Sequence, residues 1–190
     1  MQNLLINEFV KFVEKGDSFS RETLTKVAYE NNIKYSILEV LFPQNINTII
    51  EIYIKSKLEN IIMQDISNID GFTRKVQFSS STLLQNFYEN QIFTRQMIKY
   101  LFLHLHFGVK LLYNISSYIL KICGDRSLNF SYYTKRITLF TIYTSIICDI
   151  MKNKDLHNIQ IKLHNGIENT KLIPKIKAKI KKLLLEANFF

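Results

Sequence analysis

Residues 32–45, NIKYSILEVLFPQN, read as the second half of a helix-turn-helix. Asn31-Asn32 makes the turn, Tyr35–Leu41 forms a short helix, and Phe42-Pro43 stops it, because proline lacks the N–H that a continuing helix needs. Upstream, Leu4, Leu5, Phe9, Phe12 and Val13 recur at helical spacing up to Gly16, which tolerates a left-handed cap. Ser20 is the expected N-cap of a second helix whose buried stripe is Leu24, Val27 and Ala28. Downstream, a longer helix is expected from Ile46 to about Asp65, burying Ile49, Ile50, Tyr53, Leu58, Ile61 and Ile62, with a break at Asp70-Gly71.

Composition carries the same theme through the chain. Of 190 residues, 47% are hydrophobic and 13% aromatic, which excludes global disorder and suffices for one sizeable core. Only 5 glycines and 2 prolines occur, too few for the frequent turns of an all-β protein. Helices are expected over 72–88, 91–105, 108–123, 130–152, 156–169 and 172–189, with breaks near His106-Phe107-Gly108, at Gly124-Asp125 and around Asn153. Cys123 and Cys148 fall in apolar helical patterns and read as buried free thiols in a reducing compartment. The N-terminus resembles neither a secretory signal nor a transit peptide. The longest apolar run, ITLFTIYTSIIC (137–148), is shorter than the roughly 18–20 residues of a bilayer span.

Net charge is +9, which suits nucleic acid or an anionic membrane. Residues 171–190 hold six lysines and one glutamate, so +5 of that charge sits in a tail and +4 in the rest. From Tyr35 to Ile54 there is no Lys or Arg, while Glu39 and Glu51 are both acidic. DNA affinity depends on cations facing phosphates, so this helix-turn-helix is not expected to read DNA. Residues 1–53 nevertheless resemble the DNA-binding domain of TetR-type regulators. Ile37–Phe42 stand where those regulators usually have Thr-Leu-Tyr-Arg-Tyr-Phe; Leu38 and Phe42 keep the packing, and the polar and basic positions are lost. A TetR-type regulator binding DNA and a hydrophobic ligand is the alternative reading.

The most informative stretch is GDRSLNFSYYTKRITL, residues 124–139. It resembles the signature of the coenzyme Q (ubiquinone) biosynthesis accessory family called Coq nine: Gly-Asp-x-Ser-x-Asp-(Phe)-x-(Trp)-Tyr-Thr-(Arg/Lys)-Arg. Gly124, Asp125, Ser127, Phe130, Tyr133, Thr134, Lys135 and Arg136 match. FGVKLLYNISSYILKICGD resembles the family's preceding helix and NIQIKLHNGIENTKL its following segment. The resemblance implies a TetR-like fold without DNA contacts and a homodimer formed through the last helices. It also implies binding of isoprenoid quinone intermediates or phospholipid, and association with the di-iron demethoxyubiquinone hydroxylase to present substrate. By the same resemblance, Tyr132, Tyr133, Asn129 and Ile119 form the partner surface, and Arg136 meets a phospholipid head group through its guanidinium fork. The sequence departs from the pattern at four places. Asn129 replaces Asp, which it equals as an N-cap; Tyr132 replaces Trp; and Ser117 and Leu120 replace an Asp and a Trp. If those last two groups contact the hydroxylase, the interface is tuned differently here. From spacing alone, Tyr132 and Tyr133 lie on different flanks of one helix, so one can be buried and the other exposed.

The tail, TKLIPKIKAKIKKLLLEANFF (170–190), is amphipathic. Leu172, Ile173, Ile176, Ile180, Leu183, Leu184 and Ala187 share one face and Lys171, Lys175, Lys179 and Lys182 the other, the layout of an interfacial helix whose lysines snorkel to head groups. Docking of this helix on its own or a sister domain is the competing reading. Leu101, Phe102, Leu105, Phe107, Leu111, Leu112 and Tyr113 are core-type residues. Of these, Phe102, Leu105 and Leu112 are the expected lining of a lipid pocket. His104 and His106 point to different faces and cannot share a metal locally; His157 and His164 lie on one face, but no Asp, Glu or Cys at ligand spacing completes a set with them. No catalytic residue, metal or cofactor is expected.

These readings add up to an all-α, TetR-like protein of three regions. Residues 1–66 form a helix-turn-helix remnant that does not bind DNA, 67–170 a lipid-binding and dimerisation region of the same domain, and 171–190 a membrane-associating helix. The expected location is the bacterial cytoplasm, peripheral on the inner face of the membrane.

Overall fold

The computed structural model describes residues 1–64 and 66–170, apart from the side chain of Asn129. Among these residues there are nine α-helices and no strand: α1 (Gln2–Glu14), α2 (Arg21–Glu30), α3 (Tyr35–Leu41), α4 (Ile46–Met63), α5 (Phe72–Tyr88), α6 (Gln91–Leu103), α7 (Leu105–Ile122), α8 (Asn129–Met151) and α9 (Leu156–Asn169). The fold is all-α, as the scarcity of turn residues requires. The amphipathic tail, with Ile173, Ile176, Ile180, Leu183, Leu184, Lys175, Lys179 and Lys182, lies outside the described residues.

The described residues form two compact units: Met1–Asn68 with Thr82–Ile115, and Ile69–Ser81 with residues 116–170. Helices α5 and α7 each contribute residues to both.

In the first unit, α1 packs against α2, α4 and α6, and α2 against α3. Gly16 closes the α1 turn at φ +108°, and the Ser20 hydroxyl accepts the Thr23 N–H at the start of α2, as its N-cap position dictates. Asn32 adopts φ +55° in the turn before α3, a conformation that asparagine tolerates. The centre is aromatic. The Phe93 ring meets those of Tyr53 at 4.7 Å, Phe19 at 5.2 Å and Phe9 at 6.1 Å. Its backbone N–H, left without an intrahelical partner in the first turn of α6, donates to Glu14 Oε1 at 2.7 Å, so α1 caps α6 with a carboxylate.

One boundary differs from expectation. The break between α6 and α7 falls at His104, two residues before the expected His106-Phe107-Gly108, and Gly108 lies inside α7. A Cβ there would stand 3.0 Å from the Leu101 carbonyl oxygen, so glycine serves close approach of α7 to the end of α6 rather than helix termination.

In the second unit α8 packs on α9. Gly166 of α9 sits so close to Ile142 that a Cβ would meet its side chain at 3.3 Å. The buried Ser80 hydroxyl bonds the Tyr143 hydroxyl at 2.7 Å, and burial raises the phenol's pKa. Asp149 is buried and paired with Lys154 at 2.8 Å and Lys162 at 2.5 Å. Hydrogen bonds from Lys154 first and Lys162 second hold its carboxyl below the usual range. Both cysteines are free; Cys123 is buried as expected, whereas Cys148 is exposed. The apolar run around Cys148 is one-sided, with Ile146 and Ile150 inward and the thiol outward.

Candidate functional site

The stretch from Cys123 to Ile137 is built on one turn. Helix α7 ends in a Schellman motif: the Asp125 N–H donates to the Leu120 carbonyl at 3.0 Å, and the Gly124 N–H to that of Lys121 at 3.0 Å. The motif needs φ > 0 at its hinge, and Gly124 supplies +87°. The turn swings the Asp125 carboxylate inward, where its side chain is 1% exposed. There it accepts the Ser127 N–H at 3.2 Å and the Ser127 hydroxyl at 2.9 Å, which closes the loop. Lys135 donates to it at 2.7 Å and Arg136 Nη1 at 3.1 Å, both from the second turn of α8. Burial alone raises the pKa of such a carboxyl; the bonds from Lys135, Ser127 and Arg136 outweigh it and lower the pKa to about 2.

Arg136 completes the clamp. Its Nε donates to Ser117 Oγ at 3.0 Å, its Nη1 also donates to the Tyr132 carbonyl at 2.9 Å, and its guanidinium lies 3.3 Å from the centre of the Tyr132 ring. Arg136 is therefore turned into the protein, 4% exposed, and not out toward a head group. The expectation missed its acidic partner because Asp125 lies eleven residues away, beyond any local helical pairing.

The apolar residues of the same stretch face the other way. Leu128, Phe130, Tyr133 and Ile137 are exposed at 77%, 69%, 59% and 57%. Phe130, Tyr133 and Ile137 share a face at helical spacing. Of the two tyrosines, Tyr133 is the exposed one and Tyr132 is half-buried, its ring edge-on to Tyr133 at 5.2 Å. Ile119, expected on the partner surface, is fully buried and belongs to the core. Asn129 is the first residue of α8, so the cap position falls on Leu128, which makes no side-chain bond; the Asn129 side chain lies outside the described atoms. The two departures on α7 are internal: Ser117 accepts from Arg136 and Leu120 is buried.

Ile137 also opens a groove of about 460 Å³ between α8 and α9, lined with Thr138, Ile142, Lys162, Gly166 and Thr170. The expected lipid-pocket residues belong to the first unit, on α6 and α7. Phe102 and Leu105 are exposed at 49% and 63%, and Leu112 is half-buried, so the first two stand at the surface instead of lining an enclosed hollow. Sequence spacing places them on helices but does not say which side a helix turn leaves uncovered.

On the third helix, Glu39 is held by Arg21 at 2.6 Å and by the Tyr35 hydroxyl at 2.9 Å, while Val40 is 80% exposed. Lys26, the other nearby cation of α2, is paired with Asp17 at 3.2 Å. Among the described residues, no group of His, Cys, Asp and Glu could hold a metal ion, and no helix is long and apolar enough to cross a membrane.

Residues 105–162 match the family model described as COQ9, from the start of α7 into α9, with the whole clamp and exposed stripe inside the match. Over these residues, less than a third of its length, the chain is similar to that family. No protein of curated function matches the chain.

Proposed function

We propose that the protein is a lipid-binding accessory of ubiquinone biosynthesis. It takes up an isoprenoid quinone intermediate or phospholipid at an anionic membrane surface and presents substrate to the di-iron demethoxyubiquinone hydroxylase. The observation that carries this reading is the match over 105–162, within which the residues of the 124–139 stretch divide into two roles. The polar ones close a buried clamp around Asp125, and the apolar ones form an exposed stripe. Such a stripe, with Tyr133 as an aromatic anchor on a rigid base, suits a protein partner. Tyr132 backs it through its stack on Arg136. The protein itself supplies no catalytic group; the chemistry belongs to the hydroxylase. The amphipathic tail, Ile173 to Leu184 with its lysines, is the proposed membrane anchor, and two copies associate through the last helices. The cytoplasmic face of a bacterial inner membrane is the proposed location.

The regulator reading is disfavoured by the third helix, which offers DNA an exposed Val40 and a Glu39 already bound to the nearest arginine. The experiment is capture of the hydroxylase, with turnover on vesicle-embedded substrate, by the full chain and by Tyr133→Lys. The reading expects the wild type to bind and to raise turnover and the variant to lose both while keeping its helical content. Equal capture and turnover by the two proteins would overturn the assigned surface. Absence of any effect of the wild type would overturn the function.

A further inference from the structure

The α6–α7 junction carries the strongest uncovered apolar feature in the first unit. Phe102 and Leu103 end α6, Leu105 begins α7, and Val109 follows one turn later; they are 49%, 83%, 63% and 53% exposed. Exposed leucines in isolation need no explanation, but four large apolar side chains within eight residues of one helical turn-around form a continuous tip.

The tip is held rigidly. The His104 N–H donates to the Tyr100 carbonyl at 3.1 Å, the His104 ring stacks on the Tyr100 ring at 4.0 Å, and the Tyr100 hydroxyl donates to Asn47 of α4 at 2.9 Å. Gly108 lets α7 close against Leu101, as described above. The charged residues on the two helices have one sign. Lys99 and Lys110 are exposed on either side of it, and no Asp or Glu occurs from Gln91 to Gly124. An apolar tip between two lysines, with no carboxylate on either helix, complements an anionic lipid surface. The side chains enter the boundary between head groups and acyl chains, and the ammonium groups stay at the phosphates.

We infer that the α6–α7 turn is a second membrane contact, in which Phe102, Leu103, Leu105 and Val109 enter the surface of an anionic bilayer. It lies earlier in the chain than both the motif of the proposed partner surface and the tail. The inference deepens the membrane side of the proposed function and rests on that reading.

The protein contains no tryptophan, so Leu103→Trp in the full chain introduces a single fluorophore at an exposed position. Val40→Trp, on α3 and 80% exposed, is the reference. The probe is a vesicle of phosphatidylcholine with phosphatidylglycerol, with pure phosphatidylcholine beside it. The inference expects the Leu103→Trp emission to shift to the blue and to be quenched by acyl-chain bromines on the anionic vesicles only, with Val40→Trp unchanged. The double variant Leu103→Ser, Leu105→Ser should sediment with anionic vesicles at least about tenfold more weakly than wild type, from two large side chains partly buried. An unshifted Leu103→Trp in protein that sediments with the vesicles would overturn the tip and leave the tail anchor standing. Failure of the wild-type chain to sediment at all would count against the membrane reading itself. A blue shift that follows protein concentration without vesicles would assign the tip to a second copy of the chain, and equal shifts at both positions would show no preference for it; either would overturn the inference.

Discussion

The protein contains two trios of the same chemistry in opposite surroundings. At the start of the chain, Arg21 meets Glu39 at 2.6 Å, with its guanidinium 5.6 Å from the Tyr35 ring. At the α7–α8 junction, Arg136 meets Asp125 at 3.1 Å, with its guanidinium 3.3 Å from the Tyr132 ring. The first pair is 47% and 56% exposed, the second 5% and 1%. Water screens the first and leaves it little energetic weight. The second holds its charges in a poorly screened site, where removing Asp125 leaves a buried guanidinium without a carboxylate. Burial, more than residue type, separates a surface ion pair from one that fixes the base of the exposed α8 stripe.

The largest expected effect comes from Asp125→Ala, which leaves Arg136 buried without its carboxylate. Unfolding in denaturant should show a loss of about 3–5 kcal/mol. A loss below about 1 kcal/mol would contradict the contrast between the two trios.

Acid should probe the same pair. The folded Asp125 titrates at about 2 against an ordinary 3.8, so its contribution is complete above the unfolded value and is lost as pH falls from there toward the folded one. The shift corresponds to about 2 kcal/mol. Asp149 shifts in the same direction through Lys154 and Lys162. Stability followed from pH 5 downward, with pH itself the variable, should fall less steeply in Asp125→Asn than in wild type; parallel curves would remove Asp125 from the balance.

Gly108→Ala sharpens a different contrast, because alanine is ordinarily the better helix former. Here the added methyl meets the Leu101 backbone oxygen, and we expect a net loss of about 1 kcal/mol or more in thermal or denaturant unfolding. The smallest effect belongs to Glu39→Ala, expected to change stability by no more than about 0.5 kcal/mol by the same measurement.

Much of this is legible in the sequence. The third helix over Tyr35–Leu41, the Ser20 cap and the Gly124 turn follow from local rules, because caps, proline stops and left-handed glycines act within a few residues. What escaped was set by contacts across the chain. Gly108 reads as a breaker until α6 lies against it, and Arg136 reads as a head-group ligand until Asp125 is folded under it. Ile119 and Tyr133 differ in burial for the same reason: only packing decides which apolar face of a helix is covered. Phe102 and Leu105 look like pocket lining in the sequence and stand at a tip in the structure.

Gentle purification of the full chain followed by mass spectrometry of its bound lipid tests the central claim most directly. The account predicts an isoprenoid quinone, its precursor or a phospholipid associated with the protein in stoichiometric amount. Lipid-free protein that also fails to take up a polyprenyl quinone intermediate from vesicles would contradict it.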